Sequence, residues 1–375
     1  MKNLRLISRI LVGLIFMFSG FVKAVDPLGS AYKFHDYFVA FHMDWFSPFA
    51  LYLGILLCTL EFMIGVALFT GVKMRLASVL VTIFMVFFTG LTFILALTNP
   101  VSDCGCFGDA LILTNWQTFF KNIIIMIFVV IIIVGRSKFK SKLPKASEFS
   151  ILLFGVVVIL FVNIYSYRHL PLIDFLPWKK GNVIAEKVLP TPEKSEVFLI
   201  YKNKETGKEM EYTAKTLPYQ DTVLMAKLEF KEQKKKVTQE YKEAPIHDFI
   251  ITSDSGADMT LQFVQNPSFQ FFLVAYDLDK ADQDVFEKVN PFFAECQKKN
   301  ISFIALTGSS FDRVKVFKAQ THTSIPFYTV DQTALKSVVR SNPGLVLLHK
   351  GVVIDKWHYN DFPSFEKVEK KYLAP

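Results

Sequence analysis

Five long apolar runs occupy the first 167 positions of the chain, and the remaining residues alternate between apolar and polar as in water-soluble proteins. Most of the runs approach the ~20 residues with which an α-helix crosses ~30 Å of hydrocarbon. The pattern therefore predicts a multi-domain fold, with an α-helical transmembrane bundle of about five helices followed by a soluble part. The predicted spans are residues 10–25, 49–70, 76–97, 117–135 and 149–167.

Basic residues predict how this bundle is oriented. Loops 26–47 and 98–116 contain one Lys, Lys33, whereas the other connecting segments are strongly basic. Basic loops remain in the cytoplasm, so five spans place residues 168–375 on the outer side. The predicted localisation is the inner (cytoplasmic) membrane, with a periplasmic C-terminal domain and the lipid bilayer as a partner. The residues that define the cytoplasmic side are Lys2, Arg5, Arg9, Lys73, Arg75, Arg136, Lys138, Lys140, Lys142 and Lys145.

The first span also resembles a signal peptide. Lys2, Arg5 and Arg9 precede an apolar core that ends at the small-residue sequence Val-Lys-Ala, residues 22–24. Cleavage there would leave the orientation of the later spans unchanged. We expect the span to be retained.

The net charge of +8 follows this topology. From Arg168 onward the chain has 29 Lys and Arg against 27 Asp and Glu, so +6 of the charge belongs to the membrane half. There the basic residues lie mainly at helix ends, where they set orientation. The charge therefore argues against nucleic-acid binding.

Two of the four cysteines, Cys104 and Cys106, lie together in the outer loop 98–116. Gly105 between them allows the backbone to turn so that the two sulfurs can meet. A small strained disulfide is easily reduced, which suits thiol–disulfide exchange. An inert disulfide that shapes the loop is an alternative. A metal site is a third, for which this loop adds only Asp103 and Asp109 as ligands.

Charged residues inside the predicted bundle are further candidates. Glu61 is costly to ionise in the membrane, so it is either a proton-handling group or quinone anchor, or a neutral partner of a neighbouring helix. Its depth from residue 49 is about 18 Å, too deep for direct chemistry with the cysteine loop. Lys23 lies closer, and either lowers a thiol pKa or extends towards water. Cys58 reads as a small apolar residue.

The soluble part divides at about residue 244. Residues 168–243 predict a β-rich connector, with a hairpin turned at Thr206-Gly207, a strand over 223–230 and a solvated turn over 231–236. From residue 244, strands alternate with helices, which predicts an α/β domain with a helix-covered mixed sheet. Its predicted strands are 269–278, 301–308 and 325–331, its helices 281–298 and 311–319, and its terminal hairpin 345–358.

The membrane half resembles a known family. The tracts RILVGLIFMFSGFVKAVDP (9–27) and LEFMIGVALFTG (60–71) are similar to DoxX-type four-helix membrane proteins, and DCGCFGD (103–109) resembles the signature loop of their MauE branch. The resemblance implies a four-helix domain over residues 1–135, then a basic loop and fifth helix over residues 136–167. MauE proteins are linked to disulfide formation in a periplasmic dehydrogenase subunit. The resemblance therefore implies that Cys104 and Cys106 are redox residues, and it carries over no methylamine substrate.

Residues 244–375 resemble TlpA-type thioredoxin-like domains. The segment API (244–246), the turn DSGAD (254–258) and Pro343 before the last hairpin match that family, which implies a cis Asn342–Pro343 bond. One departure is decisive. The family's Cys-x-x-Cys follows the first core strand, whereas this chain has YDLDKA at 276–281, without cysteine. The domain is therefore predicted to dock a partner, and Cys296 on a helix face is a poor substitute for the missing thiols.

These features support two functions. The first is a membrane thiol oxidoreductase or assembly factor, in which Cys104 and Cys106 cycle between dithiol and disulfide. Electrons would pass to a membrane acceptor such as quinone, and the thioredoxin-like domain would hold an exported client or a partner oxidoreductase. The second is a membrane-anchored scaffold with a structural cysteine loop. Transport through the bundle has little support, because the spans contain one buried Glu and no interrupted helices.

Overall fold

The computed structural model describes residues 2–101, 103–139, 143–244, 246 and 248–373. The interpretations that involve Lys140, Lys142 and Pro245 lie outside these residues.

Five helices of the described chain are long and apolar enough to cross a membrane, which confirms the predicted bundle. Four of them begin two to eight residues before the apolar run that predicts them, because flanking polar residues continue the helix, whereas α3 begins one residue after its run. The membrane helices are α1 (Lys2–Val25), α3 (Ala50–Thr70), α4 (Met74–Thr98), α5 (Asn115–Val134) and α6 (Lys145–Arg168). A 3₁₀ segment, Asp44–Phe49, leads into α3, and another, Arg136–Lys138, follows α5.

Helix α2 (Pro27–Ala40) was not predicted, because its sequence is too short and too polar to span a bilayer. Asp26 caps it, accepting a hydrogen bond of 2.8 Å from the Gly29 amide, and Pro27 supplies the first helical residue. The helix packs beside α3. It places a polar surface at the mouth of the bundle.

Helices α1 and α3 approach each other closely. A Cβ added to Gly20 of α1 would lie 2.6 Å from the Phe62 nitrogen, and one added to Gly13 would lie 2.8 Å from the Phe69 nitrogen. Small residues permit such backbone contact between membrane helices. The contact also fixes the relative heights of the two helices, since it places Cys58 and Phe62 level with Gly20.

The two ends of the bundle have different surroundings. At the basic end, Arg9 lies beside Gly71 and Arg5 lies beside Gly135. At the other end, α2, the loop between α4 and α5, and the start of the soluble part meet. Cys104, Cys106 and the soluble part therefore lie on the same side of the membrane. That this side faces the periplasm remains a prediction.

A three-stranded antiparallel sheet, ordered β2-β1-β3, forms the middle of the predicted connector. Gly207 has φ +69° in the turn from β1 to β2, as the hairpin prediction requires. The predicted turn at 231–236 is wrong, because these residues pair with β1 as part of β3. The predicted strand over 223–230 begins instead as a helical turn. The elements are β1 (Lys194–Asn203), β2 (Glu209–Thr213), α8 (Thr222–Ala226) and β3 (Leu228–Gln239).

The C-terminal part forms the expected α/β domain on a five-stranded sheet ordered β6-β5-β4-β7-β8. Strands β4, β5 and β6 are parallel, and β7 and β8 are antiparallel to their neighbours. Its strands are β4 (Phe269–Val274), β5 (Ser302–Thr307), β6 (Phe327–Thr329), β7 (Gly344–His349) and β8 (Val352–His358). Its helices are α9 (Thr260–Val264), α10 (Phe286–Lys298), α11 (Phe311–Thr321), α12 (Gln332–Val338) and α13 (Phe365–Val368).

Apolar clusters cover both faces of this sheet, which is the packing that a helix-covered sheet needs. The Asn342–Pro343 bond is cis, the form predicted from the resemblance. Helix α12 was not predicted, and it follows β6 directly. The arrangement of three parallel strands, a cis-proline and a closing hairpin is the thioredoxin-like fold expected from the sequence.

Part of the predicted connector packs with this α/β domain. Trp178 and Ile184 are completely buried in one of its two apolar clusters. The Ile184 amide donates a hydrogen bond of 2.7 Å to the Gly351 carbonyl, at the turn between β7 and β8. Helix α7 (Ala185–Val188) follows. Residues that precede the three-stranded sheet along the chain therefore pack against the α/β domain. Residues that follow the three-stranded sheet form the main sheet of that domain.

Candidate functional site

The cysteine loop, residues 99–114 between α4 and α5, places its two sulfurs side by side. The Sγ atoms of Cys104 and Cys106 lie 2.6 Å apart, and both residues are free thiols in the structure. Gly105 makes the turn with φ +66°, and its amide donates to Asp103 Oδ1 at 2.8 Å. A Cβ at this position would approach Lys33 Cγ to 3.0 Å. Both backbone conformation and space therefore favour glycine between the cysteines.

Three contacts from α1 and α2 hold the loop. Tyr37 donates to the Cys104 carbonyl at 2.7 Å, and Ser19 donates to the Cys106 carbonyl at 2.7 Å. Lys33 pairs with Asp103 at 2.6 Å. Because each contact reaches a different residue of the loop, the thiols are held in place rather than displayed on a free segment.

The two thiols have different acidities. The hydrogen bond from Cys104 stabilises the Cys106 thiolate and lowers the pKa of Cys106 to about 7, although burial opposes the shift. The ammonium groups of Lys121 and Lys23 lower this pKa further. The same hydrogen bond, together with burial, raises the pKa of Cys104 well above its ordinary value. Of the two thiols, Cys106 is therefore the one that ionises more readily near neutral pH.

Lys121 is a site residue that the sequence analysis missed. It lies in the second turn of α5, with its Nζ 4.4 Å from the centre of the Phe107 ring. Phe107 also packs against Phe18 of α1, with ring centres 5.7 Å apart. A lysine inside an apolar span is costly and marks a functional position, so this signal was present in the sequence.

Lys23 and Glu61 form a buried ion pair between α1 and α3, and their residues are 9% and 5% exposed. Lys23 therefore points to a partner inside the bundle and does not extend towards water. The depth predicted for Glu61 is wrong, because α3 begins beyond the end of α1, beside α2. The contact of Gly20 with Phe62 puts Glu61 about one helical turn below Val25, the end of α1.

A cavity of about 550 Å³ connects these groups. Cys104, Cys106, Lys23 and Glu61 line it together with many aromatic and aliphatic side chains of α1, α4 and α5. Phe87, one of the lining residues, is 61% exposed on the outer surface of the bundle, where lipid would surround it. The cavity thus combines an apolar wall at membrane depth with a charged pair near the thiols, a composition typical of small-molecule sites.

The other two cysteines do not reach the pair. Cys58 is fully buried between α3 and α6, where its thiol lies 3.4 Å from Asn163 Oδ1. Cys296 is fully buried in the α/β domain, and burial raises its pKa to about 12. Among the described residues, no group of three or more His, Cys, Asp or Glu side chains is arranged to hold a metal ion.

The α/β domain contacts the cysteine loop through Arg340, which is 5% exposed. Arg340 lies 2.8 Å from Asp26 and 2.7 Å from Asp109. Tyr32 of α2 donates to the hydroxyl of Tyr276 at 3.1 Å. No sequence pattern pointed to Arg340, because its partners lie 314 and 231 positions away along the chain.

A comparison with known protein families matches the membrane part of the chain. Residues 1–135 match the family model described as methylamine utilisation protein MauE. The match supports a MauE-type membrane protein, and the wider DoxX resemblance remains a prediction. The molecule is thus a multi-pass membrane protein whose residues 1–135 are similar to the MauE family, followed by an α/β domain on a five-stranded sheet.

One solved structure was matched, a bacterioferritin comigratory protein of Xanthomonas campestris described for its alkyl peroxide reduction activity. It is 14% identical, covers 31% of this chain and 83% of its own chain, and superposes with a TM-score of 0.24. A search of curated proteins gave no match.

Proposed function

We propose that this protein is a membrane thiol–disulfide oxidoreductase that assists disulfide formation in exported proteins, with Cys104 and Cys106 as its redox pair. The observation that carries the proposal is the geometry of the pair. Two sulfurs lie 2.6 Å apart, and one belongs to a thiol whose pKa is lowered to about 7. Such a pair closes a disulfide with little movement of the loop.

The proposed cycle has two balanced steps. In the first, a client thiolate attacks the Cys104–Cys106 disulfide, and the client's second thiol resolves the mixed disulfide. The client loses two electrons and two protons, and the pair becomes a dithiol. In the second step the pair returns to the disulfide and passes two electrons and two protons to a membrane acceptor. Cys106 begins this step, because it is the thiol that ionises near neutral pH.

Quinone is the acceptor that we propose. Its headgroup would be held by Lys23 and Glu61, and when bound it would supply a two-electron, two-proton acceptor. The cavity supports this choice because it joins the thiols to an apolar wall at membrane depth. Lys23 can donate a hydrogen bond there, and the Glu61 carboxylate can accept one. Both residues are buried, so these roles would be shielded from bulk water.

Trapping free thiols in intact cells tests the proposal. We expect Cys104 and Cys106 to be partly reduced at steady state, and to become fully reduced when respiratory quinone is depleted. In Cys104→Ala, the Cys106 thiolate should attack the disulfide of an oxidised exported protein, release one client thiolate and remain in a mixed disulfide that no second cysteine resolves, whereas Cys296→Ala, the matched control, should not accumulate one. A pair that stays oxidised without quinone and never traps a partner would rule out the redox role.

A structural role for the loop is the second candidate, and one observation favours it. Three hydrogen bonds or ion pairs fix the loop to α1 and α2, as expected of a disulfide that only shapes a docking surface. In that case the protein is a membrane-anchored scaffold. Loss of either cysteine would then lower thermal stability without changing the thiol state of any exported protein.

A further inference from the structure

The thioredoxin-like domain faces the cysteine loop with the surface on which related domains place their thiols. Tyr276 lies two residues after the end of β4, at the start of the segment 276–281 where the family's Cys-x-x-Cys is expected, and it contacts Tyr32 of α2. Arg340 lies three residues before the cis-proline Pro343 and reaches the cysteine loop itself. The surface around these two residues is therefore already occupied by the membrane domain of the same chain.

Arg340 joins three segments of the protein. Its Nε lies 2.8 Å from Asp26 Oδ2 at the start of α2, and its Nη2 lies 2.7 Å from Asp109 Oδ2 in the cysteine loop. The guanidinium also packs 5.3 Å from the centre of the Tyr32 ring. A buried guanidinium paired with two carboxylates strongly favours one orientation of the segments that it joins, because losing one partner leaves an uncompensated buried charge.

The same domain closes the cavity above the thiols. Thr333, Lys336 and Ser337 of α12, together with Arg340, line the cavity that Cys104 and Cys106 also line. Lys336 is held there, with its Nζ 4.8 Å from the centre of the Tyr32 ring. A bulky molecule approaching the thiols from the side of the soluble part meets α12 and Arg340 first.

We propose that the thioredoxin-like domain is a lid over the cysteine loop, and that Arg340 is the positioning residue that keeps it closed through Asp26 and Asp109. An exported protein reaches Cys106 after these contacts open. The lid goes beyond the redox role, since it limits access to the thiols whether or not they exchange electrons. Its test therefore measures labelling and requires no turnover.

The experiment uses the full-length protein in lipid nanodiscs, reduced, with Cys58 and Cys296 replaced by Ala. The rate of labelling by a maleimide attached to a bulky polyethylene glycol is compared with the rate for small iodoacetamide. In Arg340→Gln we expect the bulky reagent to react about tenfold faster, as for typical coupling between two parts of a protein. The rate for the small reagent should change much less.

Asp26→Asn and Asp109→Asn make the test independent of folding in the soluble domain, because both residues belong to the membrane domain. Each should also raise labelling by the bulky reagent. Arg340→Lys should give a smaller rise, since a lysine keeps the charge but bridges two carboxylates poorly. Arg313→Gln is the matched control, because Arg313 pairs with Asp279 inside the soluble domain.

Two results would overturn the lid. One is labelling of Arg340→Gln and both Asp→Asn variants at the unmodified rate. The other is faster labelling in Arg340→Gln alone, with a lower melting temperature, which would mean that the substitution acts by unfolding the domain. If the lid is confirmed but the pair never changes redox state in cells, the redox role fails and the lid stands.

Discussion

A thioredoxin-type site usually has its thiols on the α/β domain itself. In this protein the thiol pair and the thioredoxin-like domain are two separate regions. The cysteine loop has a thiol pair but lies on a helical membrane domain. The segment 276–281 follows the first strand of the α/β domain, where the resemblance to thioredoxin-like domains leads us to expect thiols, and it contains none. The structure joins the α/β domain to the cysteine loop through Arg340 and Asp109, and it places Tyr276 against Tyr32 of α2. In the function proposed above, chemistry and recognition would lie on separate domains, and the contact between the domains would couple them.

The largest expected effect comes from removing the nucleophile from the first region. Cys106→Ser should reduce oxidation of a dithiol peptide by membranes containing the protein by about 100-fold or more, because serine cannot form the disulfide. Tyr276→Phe in the second region should retain most of this activity. Equal losses in the two variants would contradict the division of roles.

The next effect concerns the charges around Cys106. Lys23 and Lys121 lower the pKa of Cys106, so Lys121→Met should raise it. With a rise of about one unit, the thiolate fraction at pH 7 falls from about one half to about one tenth. The pH profile of iodoacetamide alkylation should move to higher pH. An unchanged profile would mean that Lys121 does not contribute to the acidity of Cys106.

A smaller effect is expected from the turn between the cysteines. Gly105→Ala should destabilise the protein by about 1 kcal/mol or more, because alanine at φ +66° is strained and its Cβ meets Lys33. Gly108→Ala is the matched control, since Gly108 also has positive φ (+53°) but nothing lies within 4 Å of the added Cβ. The difference between the two melting temperatures measures the contact with Lys33, separately from backbone strain.

The smallest effect belongs to the cysteine of the second region. Cys296 is fully buried and burial raises its pKa to about 12, so it should not react with iodoacetamide at pH 7 in the folded protein. Mass spectrometry of the labelled protein checks this. Labelling of Cys296 at a rate close to that of Cys106 would show that the soluble domain does possess an accessible thiol.

Much of the fold could be predicted because its signals are local. The five spans follow from the lengths of apolar runs, and the α/β domain follows from alternating strands and helices. The errors also have local causes. Residues 231–236 are rich in lysine, which predicts a turn, but their backbone pairs with β1 while both faces of the strand remain exposed. Charge alone does not distinguish a turn from a solvated strand.

The sequence by itself determined the membrane spans, the shared loop of Cys104 and Cys106, and the absence of thiols at 276–281, because these depend on neighbouring residues. The tertiary structure decided which distant residues surround the thiols. The offset of α3 against α1 brings Glu61 to Lys23, and the docking of the soluble domain brings Arg340 to Asp26 and Asp109. Such pairings arise from helix packing and domain contact between residues far apart in the chain, so no spacing along the sequence encodes them.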